Sequence, residues 1–143
     1  MRVLLPLVLL AACQKGPPTT PDGTFRLFTE HLRKQDSKAA FQLLTTKSRT
    51  RLETASKALA SASEGAVKDE PALLAFRTPH LPTPLVSIKV ASQSDATATL
   101  EVHTCQRPLD ATGTCPSDAV VQERVVMVKE AQRWAVELPD VMP

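Results

Sequence analysis

Tyrosine is absent from this chain, and the other aromatic residues are few: four phenylalanines and one tryptophan. The absence of tyrosine excludes that side chain as a catalytic acid and as a hydrogen-bond donor in a binding site. The sequence also has no glycine-rich phosphate loop, no Cys-x-x-Cys pair, no His-Glu-x-x-His pair and no nucleophile elbow. These absences remove the common signatures of nucleotide binding, dithiol redox chemistry, zinc proteolysis and serine hydrolysis.

The chain also lacks a large excess of positive or negative charge, since the formal net charge is only +2. Lysine and arginine are dispersed, mainly between Arg26 and Arg51, and no basic block is interleaved with aromatic residues. We therefore expect no nucleic-acid partner. Nothing in the pattern indicates a cofactor or a resident metal ion, so neither is expected.

The first residues form an apolar run that is too short to cross a bilayer. Arg2 supplies a positive start, residues 3–10 are apolar apart from Pro6, and two small residues precede Cys13. A membrane-spanning helix needs about 20 apolar residues. A charged start, a short apolar middle and a small-residue end are instead typical of a secretory signal.

The stretch Leu10-Ala11-Ala12-Cys13 resembles the lipobox of a bacterial lipoprotein signal peptide. The resemblance implies that residues 1–12 are removed, that Cys13 carries the lipid, and that the membrane is a partner through this anchor. Two or three acyl chains anchor a protein firmly, whereas one is marginal. Gln14, where aspartate often retains lipoproteins at the inner membrane, favours the outer membrane facing the periplasm if the cell has two membranes. The alternative is ordinary secretion with an incidental cysteine.

The two remaining cysteines indicate a disulfide. Once Cys13 is lipidated, Cys105 and Cys115 make one pair, and such thiols normally join in an oxidising compartment of the cell envelope. The residues between them have the composition of a loop. A redox pair or a metal site is the alternative, and His103 is the one neighbour that could serve as a further ligand.

The rest of the chain divides into a helical half and a strand half within a single domain. We expect a lipidated cysteine and flexible tether at residues 13–23, and one α+β domain at residues 24–143. Hydrophobic spacing predicts helices at residues 24–34, 37–44, 46–63 and 71–76. Alternation predicts strands at residues 85–91, 96–103, 120–129 and 133–138. Short turns between strands make them antiparallel, so N-terminal helices should pack on a curved sheet of about four strands.

The expected core faces follow from the same spacing. Helix residues expected to point inward are Phe25, Phe28, Leu32, Ala40, Phe41, Leu44, Leu52, Ala55, Leu59 and Ala62. Strand residues expected to point inward are Val86, Ile88, Val90, Ala96, Ala98, Leu100, Val102, Trp134, Val136 and Leu138.

The order of these elements is similar to that of a known superfamily. An apolar helix, a break near Asp36 and an Ala-x-x-Leu-Leu helix at residues 40–44 open the domain, and a Lys-Glu turn before Trp134 closes it. This resembles the nuclear-transport-factor-2-like superfamily, including small bacterial lipoproteins of unknown function. The resemblance implies a cone of sheet round helices with a pocket between them. Its enzymes, such as ketosteroid isomerases and scytalone dehydratases, work with polar groups inside that cone.

Histidine supplies the candidate polar groups. His31 lies between Phe28 and Leu32 on the first helix and either borders the core or points into a pocket. His103 shares a strand face with Glu101, and such a pair can orient an imidazole as a general base. The opposite face of that strand is the better core, so we expect His103 to face solvent. His80 falls in a proline-rich loop and is expected to be exposed.

The sequence therefore favours an envelope lipoprotein with a non-catalytic domain that binds a ligand or scaffolds a partner, a small apolar ligand or another envelope protein. One alternative is an isomerase or dehydratase that uses the cone pocket, with His31 or the pair of His103 and Glu101 lining it. The other is an accessory lipoprotein of an envelope assembly, which predicts an exposed apolar patch at Leu73, Leu74 and Phe76.

Overall fold

The computed structural model describes residues 17–74 and 84–140, and in these ranges helices precede strands as expected. The helices are α1 (Pro21–Arg33), α2 (Ser37–Gln42), α3 (Thr46–Ala62) and α4 (Pro71–Leu74). The strands are β1 (Leu85–Gln93), β2 (Thr97–Cys105), β3 (Val120–Glu130) and β4 (Arg133–Glu137), with a short 3-10 turn at Ser117–Ala119. The α+β fold class is confirmed.

Helix α1 begins before the expected residue 24. Thr20 is its N-cap, and the side chain accepts the Gly23 N–H at 3.2 Å, while Pro21 occupies the first helical position. Threonine at the cap followed by proline is a strong start signal, because the fixed φ of proline suits the first turn and its missing N–H leaves no donor unsatisfied. The expected tether at residues 13–23 therefore overlaps the first turn of the helix.

The next two helices are also capped by side chains. Asp36 accepts the Ala39 N–H at 3.1 Å at the start of α2, and Thr45 accepts the Ser48 N–H at 3.1 Å at the start of α3. Each cap satisfies one of the backbone donors that a helix leaves without a partner at its first turn. The start expected for the third helix is confirmed.

One hydrophobic core lies between the helices and the inner face of the sheet. Phe28 on α1, Leu52 on α3, Leu100 on β2 and Met127 on β3 are fully buried in it. The expected inward faces of the first two helices and of β4 are confirmed. Burial of a large apolar side chain stabilises a fold by about 1.5–3 kcal/mol, so these residues carry much of the folding free energy.

The four strands form one antiparallel sheet in the order β1-β2-β3-β4. On the outer edge of β4, the connection between α2 and α3 adds a parallel bridge between Leu44 and Val136. Val136 donates to the Leu43 carbonyl at 2.8 Å, and Thr45 donates to the Val136 carbonyl at 2.9 Å. These bonds cover a stretch of strand edge that could otherwise pair with another chain.

The prediction of burial is wrong for three residues, each for a local reason. Val86 is 46% exposed because the register of β1 shifts between Leu85 and Ser87, which turns Val86 out of the inner face. Ala96 is exposed because it lies in the turn before β2. Ala62 is exposed at the end of α3.

The buried stripe of α3 is also more polar than expected. It consists of Ser48, Leu52 and Ser56, spaced four residues apart. Ala55 and Leu59, which the spacing placed inward, are only partly buried.

The turn between β3 and β4 generates the first prediction. Its two residues have positive φ, 47° at Ala131 and 65° at Gln132, without being glycine. This conformation costs a side chain about 1–2 kcal/mol, more than the entropy that glycine loses on folding. We expect Gln132→Gly to raise the free energy of unfolding by about 0.5 kcal/mol.

Denaturant unfolding of the two proteins measures this difference. The matched control is Gln122→Gly inside β3, where glycine should lower stability by about 0.5–1 kcal/mol. Equal losses from both substitutions would contradict the strained turn.

Candidate functional site

Several expected site residues lie outside the described part of the chain. Cys13, His80 and Phe76 are among them, as are all residues of the expected signal. Within residues 17–74 and 84–140, no helix has both the length and the apolar character needed to cross a bilayer.

Cys105 and Cys115 are joined in a disulfide with a Cα–Cα distance of 5.8 Å. The bond connects the end of β2 to the segment that leads into β3. Inside the loop that it closes, the Asp110 carboxylate accepts the backbone N–H groups of Thr112 at 2.9 Å and Thr114 at 2.8 Å. The Thr112 hydroxyl and these N–H groups hold the pKa of Asp110 below its usual value. The loop is thus closed by a covalent bond and ordered by its own hydrogen bonds.

His31 is placed at the corner between α1 and α2. Its Nδ1 atom lies 3.7 Å from Asp36 Oδ2, and the other carboxylate oxygen of Asp36 caps α2. The Asp36 N–H also donates to the His31 carbonyl at 2.9 Å. The contacts of His31 are therefore with the helix corner rather than with Glu101 or His103.

His103 and Glu101 lie together on the outer face of the sheet, as the alternation predicts. Their side chains are 28% and 30% exposed, and His103 Nε2 is 3.9 Å from Glu101 Oε1. A third group joins them from the neighbouring strand, because Ser87 Oγ lies 3.0 Å from His103 Nδ1. No local pattern indicates Ser87 as a site residue, because its position opposite His103 follows from the strand register.

The inner face of the sheet carries two polar residues that no sequence pattern indicates. Glu123 pairs with Val102 across the sheet and is partly buried on that face. Thr104, on the same face of β2, has a buried hydroxyl that makes no hydrogen bond within the described part of the chain. Buried polar atoms without a partner are uncommon in native proteins. Polar groups therefore border the core between sheet and helices.

A polar cluster fastens the start of α3 to the end of β4. The Thr45 hydroxyl hydrogen-bonds to the Glu137 carboxylate, and Lys47 Nζ lies 3.0 Å from the other oxygen of that carboxylate. Ser48 Oγ accepts the Leu138 N–H at 2.9 Å. Burial is the strongest single influence on Glu137 and raises its pKa, but the hydrogen bonds from Thr45 and Lys47 outweigh it and hold the pKa below its usual value.

Two further contacts extend this cluster. The Glu130 carboxylate accepts the Thr46 N–H at 3.1 Å and the Thr46 hydroxyl at 2.9 Å. Arg51 lies 2.9 Å from Asp140 Oδ1 and donates to the Pro139 carbonyl. Negative charge at the N-terminal end of a helix is favourable, because the helix dipole is positive there. These residues serve the fold, and none of them was expected as a site.

The expected apolar patch is only partly present in the described residues. Leu73 on α4 is 49% exposed, whereas Leu74 is partly buried and packs on the core. No group of three or more metal-ligating side chains is found among residues 17–74 and 84–140.

No protein-family model matches the chain, and no curated protein matches it at a significant level.

The disulfide gives a prediction for stability. In the chain-entropy account, closing a loop of this length contributes about 2–3 kcal/mol. We expect Cys105→Ser with Cys115→Ser to lower the free energy of unfolding by this amount, measured with denaturant. Adding a reductant should lower the stability of the parent protein but not that of the double variant.

Thiol labelling checks the bond itself. Cys105 and Cys115 should react with a thiol reagent only after denaturation and reduction. Two thiols that are labelled readily in the folded protein would show that the bond is absent.

Glu137 gives a prediction for pH dependence. Because folding lowers its pKa, the unfolded state binds the proton more readily, and the carboxylate stabilises the fold above its ordinary pKa of 4.5. That contribution is lost as the pH falls through the lowered pKa. We expect Glu137→Gln to cost about 1–2 kcal/mol at neutral pH, and progressively less as the pH falls below 4.5.

The matched control for Glu137 is Glu53→Gln on the exposed side of α3, which should change stability by about 0.5 kcal/mol or less. Unfolding free energies at several pH values provide the measurement. A loss from Glu137→Gln that does not change with pH would contradict the charged cluster.

Proposed function

We propose that this protein is a lipid-anchored lipoprotein of the bacterial cell envelope, whose α+β domain binds a small apolar ligand or scaffolds another envelope protein without isomerase or dehydratase chemistry. The observation that carries the proposal is the sequence Leu10-Ala11-Ala12-Cys13 behind a short apolar run. Small residues before the cysteine suit cleavage, and the cysteine thiol takes the lipid.

The disulfide supports an exported location. A bond between Cys105 and Cys115 persists in oxidising compartments such as the periplasm or the cell surface, and it is rare where glutathione and thioredoxin keep thiols reduced. An exported domain with one such bond is consistent with the proposed secretory signal at residues 1–12.

The short distance between anchor and domain supports a role at the membrane surface. Only residues 14–19 separate Cys13 from Thr20, which already caps α1. A fully extended chain of this length reaches about 25 Å. A domain anchored in this way would stay close to the bilayer, which favours a partner or ligand at the membrane surface.

The positions of the histidines in the domain favour a binding role over the isomerase or dehydratase chemistry of nuclear-transport-factor-2-like enzymes. His31 contacts the corner of two helices, and His103 with Glu101 lies on the outer face of the sheet. These residues therefore do not form a pair of catalytic groups that face each other between the helices and the sheet. The region between the helices and the sheet is instead filled by the packed apolar side chains of the core.

Replacing the anchor residue tests the proposal. Cys13→Ser should leave the full chain without lipid, because serine has no thiol to form the thioether. We expect the variant to move from the detergent phase to the aqueous phase on phase separation, and to lack the acyl mass on its N-terminal peptide.

The double variant Cys105→Ser with Cys115→Ser is the control, since it should keep its lipid and its partition. Unchanged partition of Cys13→Ser into detergent would contradict the lipid anchor.

A further inference from the structure

Three polar side chains on the outer face of the sheet form a chain of contacts from a carboxylate through an imidazole to a hydroxyl. Glu101 Oε1 lies 3.9 Å from His103 Nε2, and His103 Nδ1 lies 3.0 Å from Ser87 Oγ. Two strands hold the three residues, and the β1–β2 register places Ser87 directly opposite His103. All three side chains reach solvent, so a small molecule can approach them.

The order of these groups decides where the imidazole proton lies. A carboxylate near Nε2 favours the proton on that nitrogen, since a negative charge attracts the N–H dipole. Nδ1 then carries the free electron pair and accepts the Ser87 O–H. A serine is activated as a nucleophile when its hydroxyl donates to an imidazole whose other nitrogen faces a carboxylate.

The separation between Glu101 and His103 is longer than a hydrogen bond. It corresponds to an ion pair that forms once the imidazole takes up a proton. Contacts of this kind are often loose before a substrate arrives and shorten in the reacting complex. Glu101 therefore acts as a positioning residue, through its charge, rather than as a group that touches the substrate.

We propose that Ser87 is an activated nucleophile that takes an acyl group from an activated ester, with His103 as its general base and Glu101 as the positioning residue. The proposal goes beyond the proposed function, because neither anchoring nor binding requires a reactive hydroxyl.

The chemical step balances within these residues and the ester. Ser87 Oγ forms a bond to the ester carbonyl carbon, and its proton passes to His103 Nδ1. The bond between that carbon and the leaving oxygen breaks, and the leaving group departs with the electron pair as a phenolate. His103 then releases the proton to water, which leaves an acyl ester on Ser87.

The charged neighbours of the three residues come from both adjoining strands. Lys89 on β1 and Arg124 on β3 both pair with Glu101 in the sheet register, while neutral Gln122 pairs with His103. These cations also suit an ester with a negatively charged leaving group. General base catalysis alone is worth about 10²–10⁴-fold, so we expect acylation of Ser87 to be at least about 10²-fold faster than that of an ordinary serine.

Acylation with p-nitrophenyl acetate tests the proposal on the full chain in detergent. Peptide mass spectrometry gives the acetylation rate at each serine, and Ser94 is the internal control, because its hydroxyl contacts Thr97 rather than an imidazole. We expect Ser87 to be acetylated at least about 10²-fold faster than Ser94.

Variants separate the roles of the two partners. His103→Gln should reduce the Ser87 rate to that of Ser94, whereas His31→Gln, at the helix corner, should leave it unchanged. Glu101→Gln should lower the rate and Glu101→Asp should restore part of it. We expect each variant to remain folded, because these residues are on the surface of the protein. Unfolding measurements verify this.

Three results would overturn the proposal. Ser87 could react no faster than Ser94, or its rate could be insensitive to His103→Gln. The third is acetylation of His103 in Ser87→Ala as fast as acetylation of Ser87 in the parent protein, which would make the imidazole itself the nucleophile. Any of these results would mean that the three residues only make polar contacts across two strands.

Discussion

The fold depends most on the place where the α2–α3 connection meets β4. There the backbone of Leu43 and Thr45 bonds to both polar groups of Val136, and the Thr45 hydroxyl reaches Glu137. Leu44, fully buried between these contacts, joins the helices to the core beneath the sheet. The helical half and the strand half are thereby fixed to each other as one body. We refer to the contacts of Leu43, Leu44 and Thr45 with Val136 and Glu137 as the seam.

The seam also explains why polar residues are tolerated close to the core. Thr45 and Ser48 are buried, yet each satisfies backbone or carboxylate partners, so their burial carries little penalty. Glu137 keeps its charge because its neighbours donate to it. By contrast, the Thr104 hydroxyl on β2 is buried without such a donor or acceptor in the described residues. The two ends of the sheet differ in this respect, and the end near Thr104 is where the disulfide closes the adjoining loop.

Much of the architecture could be predicted from the sequence because it rests on local patterns. The helix faces of Phe28 and Leu32 and the alternation of Leu100 and Val102 indicate the core directly. Other features depend on pairing between distant residues. The hydroxyl of Thr45 meets the carboxylate of a residue 92 positions later, and no local pattern announces that contact.

The predictions that were wrong or incomplete also concern features that depend on pairing between distant residues. Val86 fits an alternating pattern, and only the register shift beside it turns it outward. Ser87 became a candidate site residue when the strand pairing brought it to His103, whereas Glu101 and His103 were visible from their spacing alone. The Thr20-Pro21 start of α1 was present in the sequence, but the proline-rich composition around it favoured a tether. The proposed lipidation of Cys13, which would decide where the domain works, rests on the sequence alone.

Hydrogen exchange at two backbone amides tests the seam most directly. The N–H groups of Thr45 and Val136 bond across it at 2.9 Å and 2.8 Å. If the seam joins the two halves into one cooperative body, these amides exchange only through global unfolding, with the same free energy of opening as the amide of Leu100 in the centre of the sheet. Faster exchange of Thr45 and Val136, with Leu100 still protected, would show that the halves separate before the domain unfolds and would contradict this account.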